Sequence, residues 1–298
     1  MQKGEGYPQW TGKSHGGYWG HKSFAVLLRL GMFPAYFLLV FVAAFFVIFR
    51  KKYTSGGAEY LGRLFGKKAG AVSWKMYRLV FSFGMSIIDR VAFFCGNGKI
   101  KCADGCEETI EKLISDGRGL IVLTAHVGGW QIAGSQLYKY GRGVGIIGAD
   151  NEDEKISELL DGVRVVDTPK VLGDAADTFS MLPAFSLLRR GGIVAMHGDR
   201  YAGGRFAETE FLGGKVRAPL AAYVLAAKAG VPVAQISCVR ESLFNYRMEV
   251  LDVFDFSPVP PSELIGAAEK CAKKFFGNLE KALRESPYQW YNFYNFWE

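Results

Sequence analysis

Residues 121–135 read IVLTAHVGGWQIAGS. The apolar run from Ile121 to Leu123 lies within GLIVLTA (119–125), which the pattern predicts as a buried strand. Gly128 and Gly129 follow almost at once, and a helix is expected to open near Gly129. A strand that runs directly into a helix is the unit of an α/β fold. The same alternation continues outward. GVGIIGA (143–149), IVAMHGD (193–199) and VPVAQISCV (231–239) read as further strands. The helix end AFSLLRRGG (184–192) and the helix PLAAYVLAAKAG (219–230) lie between them. YRMEVLDV (246–253) alternates as an outer strand, and 262–286 reads as a long amphipathic helix. Upstream, 53–95 and 108–117 are expected to be helical. The fold class that results is α/β, with a mixed, largely parallel sheet flanked by helices.

The chain has 298 residues, of which 49% are apolar, enough for a sizeable core. Lys and Arg number 36 against 29 Asp and Glu, a net charge of +7. This mild basic excess suits anionic lipid or an acidic carrier protein. No basic block, zinc finger or RNA-binding aromatic motif accompanies it, so nucleic acid is not expected as a partner. The five cysteines are Cys95, Cys102, Cys106, Cys238 and Cys271, and with only four histidines in the chain they read as reduced thiols.

The first 24 residues are polar and aromatic, including Trp10 and Trp19, and do not have the form of a cleaved signal. GMFPAYFLLVFVAAFFVIF (31–49) then carries no charge. As a helix it would extend roughly 28 Å, near the hydrocarbon thickness of a bilayer. Arg50, Lys51 and Lys52 follow directly, which places that end, and the rest of the chain, on the cytoplasmic side. The expected organisation is an N-terminal membrane anchor over residues 1–52 and an α/β catalytic domain over 53–298.

Ligands collect at the carboxyl ends of strands in such a sheet. His126 follows the first strand quoted, His197 closes IVAM and precedes Gly198, Asp199 and Arg200, and Arg240 follows VPVAQISCV. A neutral His126 can take a proton from a hydroxyl or amine. Gln131, five residues on, lies near the reach of its second ring nitrogen.

On these residues a family resemblance becomes visible. An apolar strand, a histidine, four residues and an acid mark the membrane-bound glycerolipid and lipid A acyltransferases, and AHVGGWQIAG resembles the lipid A late-acyltransferase form H-x-G-N-W-E. HGDR (197–200), FLGGKVRAP (211–219) and AAKAGVPVAQISCVRE (226–241) resemble later blocks of that branch, in the same order. SPYQWYNFYNFW (286–297) is similar to the close of a bacterial subgroup of predicted acyltransferases. The resemblance covers the chain from about residue 10 to its end.

It implies a glycerolipid-acyltransferase-like fold with His126 as general base. Gln131 and Asp199 would be its catalytic companions, and Gly129, Trp130, Arg200, Arg217 and Arg240 would contact substrate. The implied reaction moves a fatty acyl group from acyl carrier protein or acyl-CoA to a hydroxyl or amine of a lipid-like acceptor. It would occur at the inner (cytoplasmic) membrane of a bacterium, with no metal or redox cofactor. Gln131 departs from the pattern, because the family has a carboxylate there. An amide cannot stabilise an imidazolium by charge. Three readings follow: a working variant in which another acid such as Asp199 supports His126, a deliberate Glu-to-Gln change that traps a complex, or a protein that binds lipid or acyl carrier without turnover. A serine hydrolase is not indicated, since no G-x-S-x-G elbow occurs and Ser135 has no nucleophile context.

Overall fold

The computed structural model describes residues 31–66, 70, 72–96, 98–148, 170–173, 181–256 and 259–297. The polar opening segment, with Trp10 and Trp19, lies outside the described residues. The strands are β1 (Lys101–Gly105), β2 (Leu120–Thr124), β3 (Val144–Ile147), β4 (Lys170–Gly173), β5 (Ile193–His197), β6 (Phe206–Phe211), β7 (Gly214–Pro219), β8 (Val233–Arg240) and β9 (Asn245–Phe254). The helices are α1 (Met32–Phe49), α2 (Lys51–Phe65), α3 (Trp74–Phe94), α4 (Glu107–Ile114), α5 (Trp130–Gln136), α6 (Leu182–Arg189), α7 (Ala221–Ala229) and α8 (Leu264–Glu285).

Seven strands form one sheet in the order β1-β9-β8-β2-β5-β3-β4. Every pairing is parallel except β8 with β9, so the expected mixed, largely parallel α/β sheet is present. All five residues of β2 are buried, and so are Ile193–Met196 of β5 and Val233–Val239 of β8. Such unbroken burial belongs to strands covered on both faces. One core layer joins Ile121, Leu123, Val194 and Met196 to α7 and α8. The other joins Val122, Ala195 and Ile236 to α4 and α5.

Several strands differ from the sequence expectation. Residues 246–253 form part of β9, but the outer place belongs to β1, which pairs with it in parallel. β1 reads KCADG and alternates exposed with half-buried positions, an edge strand without an apolar signature. β6 and β7 form a separate antiparallel hairpin.

The helical stretch expected over 53–95 divides into α2 and α3. Gly66, at φ 66°, caps α2, and the Ser73 side chain accepts from the Met76 N–H at the start of α3 (3.2 Å). α1 packs along α3 with one stripe, Met32, Ala35, Tyr36, Leu39, Ala43 and Val47. The contact is close at Gly84, where a Cβ would stand 2.3 Å from Leu39 Cδ1. The opposite face of α1 exposes Phe33, Phe37, Phe41, Phe45 and Phe49. With 18 apolar residues, about 27 Å of helix, α1 is long and apolar enough to cross a membrane.

Candidate active site

The register of β2 and β5 builds the site. Thr124 stands opposite His197, so the residues two positions beyond each strand, His126 and Asp199, emerge side by side at the carboxyl edge of the sheet. His126 Nδ1 lies 2.8 Å from Asp199 Oδ1, and the His126 backbone N–H donates to Asp199 Oδ2 at 3.1 Å. Trp290 Nε1 donates to the same Oδ2 at 2.9 Å. Asp199 is wholly buried, which by itself would raise its pKa. The neighbouring His126, their hydrogen bond and Arg200 outweigh burial and hold the carboxyl well below the usual range. An ionised Asp199 can only accept, so the proton of neutral His126 resides on Nδ1 and Nε2 keeps its lone pair.

Burial pushes His126 below the ordinary histidine value, against the upward pull of Asp199. His197 stacks on it, with ring centroids 4.0 Å apart and planes at 27°. His197 Nδ1 is 3.0 Å from Thr124 Oγ1, and Trp130 meets its ring edge-on at 4.4 Å. Burial and the adjacent His126 lower its pKa further. His126, His197 and Asp199 place donor atoms within 4.8 Å of one another. They do not make a good cation cradle. Both Asp199 oxygens are committed, and nearly parallel rings cannot aim their in-plane lone pairs at one ion about 2.0–2.1 Å from each.

The loop that carries His126 is pinned on both sides. Gly128 N–H donates to Gln289 O (2.8 Å), Gly129 N–H to Cys238 O (2.8 Å) and Tyr291 N–H to His126 O (3.0 Å). Gly128 has φ 56°, and a Cβ there would stand 2.1 Å from Cys238 O. Gly129 approaches the Tyr246 ring, 2.7 Å from where its Cβ would be. No side chain fits either position, which explains the paired glycines.

The family model for bacterial lipid A biosynthesis acyltransferases matches residues 14–298. The chain belongs to that family. It is an acyltransferase of the lipid A type, a class that joins an acyl donor to a lipid acceptor. Among curated proteins no relative matches.

Within this lipid A-type acyltransferase the expected site residues separate. His126, Trp130 and Asp199 come together, with Arg200 beside them. Arg200 donates from Nη2 to Tyr291 O (2.9 Å) and lies over the Tyr294 ring. Gln131 sits half-buried in the first turn of α5 and makes no hydrogen bond with the His126 ring among the described residues; the Nδ1 partner is Asp199. Arg217 stands on the β6–β7 hairpin over Phe206 and Tyr201. Arg240 is engaged by Asp89 at 2.6 Å, with only 11% of its side chain exposed, so its charge is already answered inside the protein. Sequence reasoning missed this role, although a lone acid in the apolar run of α3 was a signal. The indole of Trp290 is likewise a hydrogen-bond donor to the acid of the site.

Proposed function

We propose that His126 is the general base of acyl transfer and that Asp199 is its supporting acid. The observation that carries this reading is the Nδ1–Asp199 contact, which leaves Nε2 as the basic atom. Nε2 removes the proton from an acceptor hydroxyl or amine as that atom attacks the thioester carbonyl. The C–S bond then breaks and the proton passes from His126 to the departing thiolate. Arg200, adjacent to Asp199, supplies positive charge near the developing oxyanion. Asp199 thereby does the work that the family gives to a carboxylate at the position of Gln131.

The donor in this reading is acyl carrier protein or acyl-CoA, and the acceptor is lipid-like. Residues 1–52 are the anchor and 53–298 the catalytic domain, facing the cytoplasm at the inner membrane of a bacterium. The row of exposed phenylalanines on α1 supports the anchor, because apolar patches of that extent are usually covered by membrane or protein.

The test is a transfer assay in membranes with labelled acyl carrier protein and a total lipid extract as acceptor. The expected result is turnover by the chain with Gln131 within a few-fold of Gln131→Glu, and none by His126→Ala. Turnover only in Gln131→Glu would instead favour the second reading, a lipid- or carrier-binding protein impaired by the amide.

A further inference from the structure

Beneath the His126 loop lies a second buried polar cluster, drawn from four elements. Asp89 of α3 is fully buried and pairs with Arg240 Nη2 of β8 at 2.6 Å. Tyr246 of β9 donates its hydroxyl to Asp89 Oδ2 (2.6 Å) and accepts from Arg240 Nη2 (2.7 Å) and Nε (3.2 Å). The fourth member is Tyr36 of α1, which donates to Asp89 Oδ1.

Two members, Arg240 and Tyr246, reach the loop that carries His126. The Arg240 backbone is clasped by the Gln289 amide, N–H to Oε1 at 2.8 Å and Nε2 to carbonyl at 2.9 Å. The Gln289 carbonyl in turn receives the Gly128 N–H. The Tyr246 ring is the surface against which Gly129 rests. An unbroken path of short contacts therefore runs from the apolar helix to the two glycines that follow His126.

Stability alone does not account for this cluster. A buried ion pair is often no more stabilising than apolar residues of the same volume. The rest of the α1 stripe, Met32, Ala35, Leu39, Ala43 and Val47, packs without polar groups, and a phenylalanine at position 36 would fill the same space. The Tyr36 hydroxyl adds a directed bond to the one acid that also orients Arg240 and Tyr246. We propose that Tyr36, Asp89, Arg240 and Tyr246 are positioning residues, through which the seating of α1 on the domain sets the placement of the His126 loop. The effect on turnover rests on the acyltransferase reading above; the effect on the loop does not.

The test uses the full chain in vesicles of phosphatidylethanolamine and phosphatidylglycerol. Tyr36→Phe removes one hydroxyl from the cluster. Tyr77→Phe is the control: its hydroxyl also ties α3 to α1, at Val40 O (3.2 Å), but stands outside the cluster. Amide hydrogen exchange is followed over 120–124 and 126–131, and kcat and KM are measured with acyl carrier protein thioester and total lipid extract. Loss of one hydrogen bond to a carboxylate corresponds to about tenfold or more. Tyr36→Phe is expected to speed exchange at 126–131, not at 120–124, by that factor and to lower kcat similarly with KM unchanged. Tyr77→Phe should leave all of these alone. Wild-type exchange at 126–131 in Tyr36→Phe, or equal changes in both variants, would overturn the proposal. If wild type turns over no faster than His126→Ala, the general-base reading of His126 fails, and exchange alone decides the role of the cluster.

Discussion

At the scale of single residues, the site is a neutral imidazole held by a buried carboxylate. Trp290 and the His126 N–H share Asp199 Oδ2, so Trp290→Phe leaves the carboxylate one donor short. Hydrogen bonds to charged groups contribute about 1.5–3 kcal/mol, and turnover is expected to fall about tenfold or more. Steady-state kinetics of the purified variant checks this. The lowered His126 pKa gives a second expectation. With His126 as the proposed base, burial keeps it unprotonated through the ordinary histidine range, so the acid limb of kcat/KM should fall below 6.5. A limb above 6.5 would contradict the burial that lowers it. His126 and Asp199 were both legible in the sequence, and support of His126 by Asp199 was one of the three readings left open at Gln131. Spacing along the chain pointed to Gln131, five residues away, whereas strand register brings Asp199 from 73 residues away.

At the scale of elements, β2, β5 and β8 were legible because doubly covered strands are continuous apolar runs. β1 was not, since KCADG has the composition of an edge. The β6–β7 hairpin had a signal that went unused. Leu212 and Gly213 take φ 50° and 70°, a two-residue turn of positive dihedrals, and alternation flanks LGG on both sides.

For the whole molecule, α1 has two faces with different duties. Phe37→Asp, on the exposed face, should release the protein from vesicles without changing its thermal midpoint. Leu39→Asp, against Gly84, should lower that midpoint because it buries an unpaired charge. Flotation and scanning calorimetry separate the two. Stability should also depend on acidity in a defined direction. His126 and His197 have folded pKa values below 6.5, so the unfolded chain takes up more protons as pH falls past that value. Their part of the stability is complete above 6.5 and is lost progressively below it. Asp199, held below the carboxylate range, loses its part only in stronger acid. The midpoint at pH 5.5 should lie below that at 7.5, with a smaller drop in His197→Gln.

The strap from Gln289 to Tyr291 pairs with the loop from His126 to Gly128 and donates the Trp290 indole to Asp199. During synthesis, α1 leaves the ribosome well before the strap, while most of the α/β sheet is still untranslated. The active centre cannot close until the strap has followed it out of the exit tunnel. A nascent chain therefore presents the apolar face of α1 before it acquires any capacity to acylate, and a product of premature termination upstream of Gln289 would carry that face on an inert polypeptide.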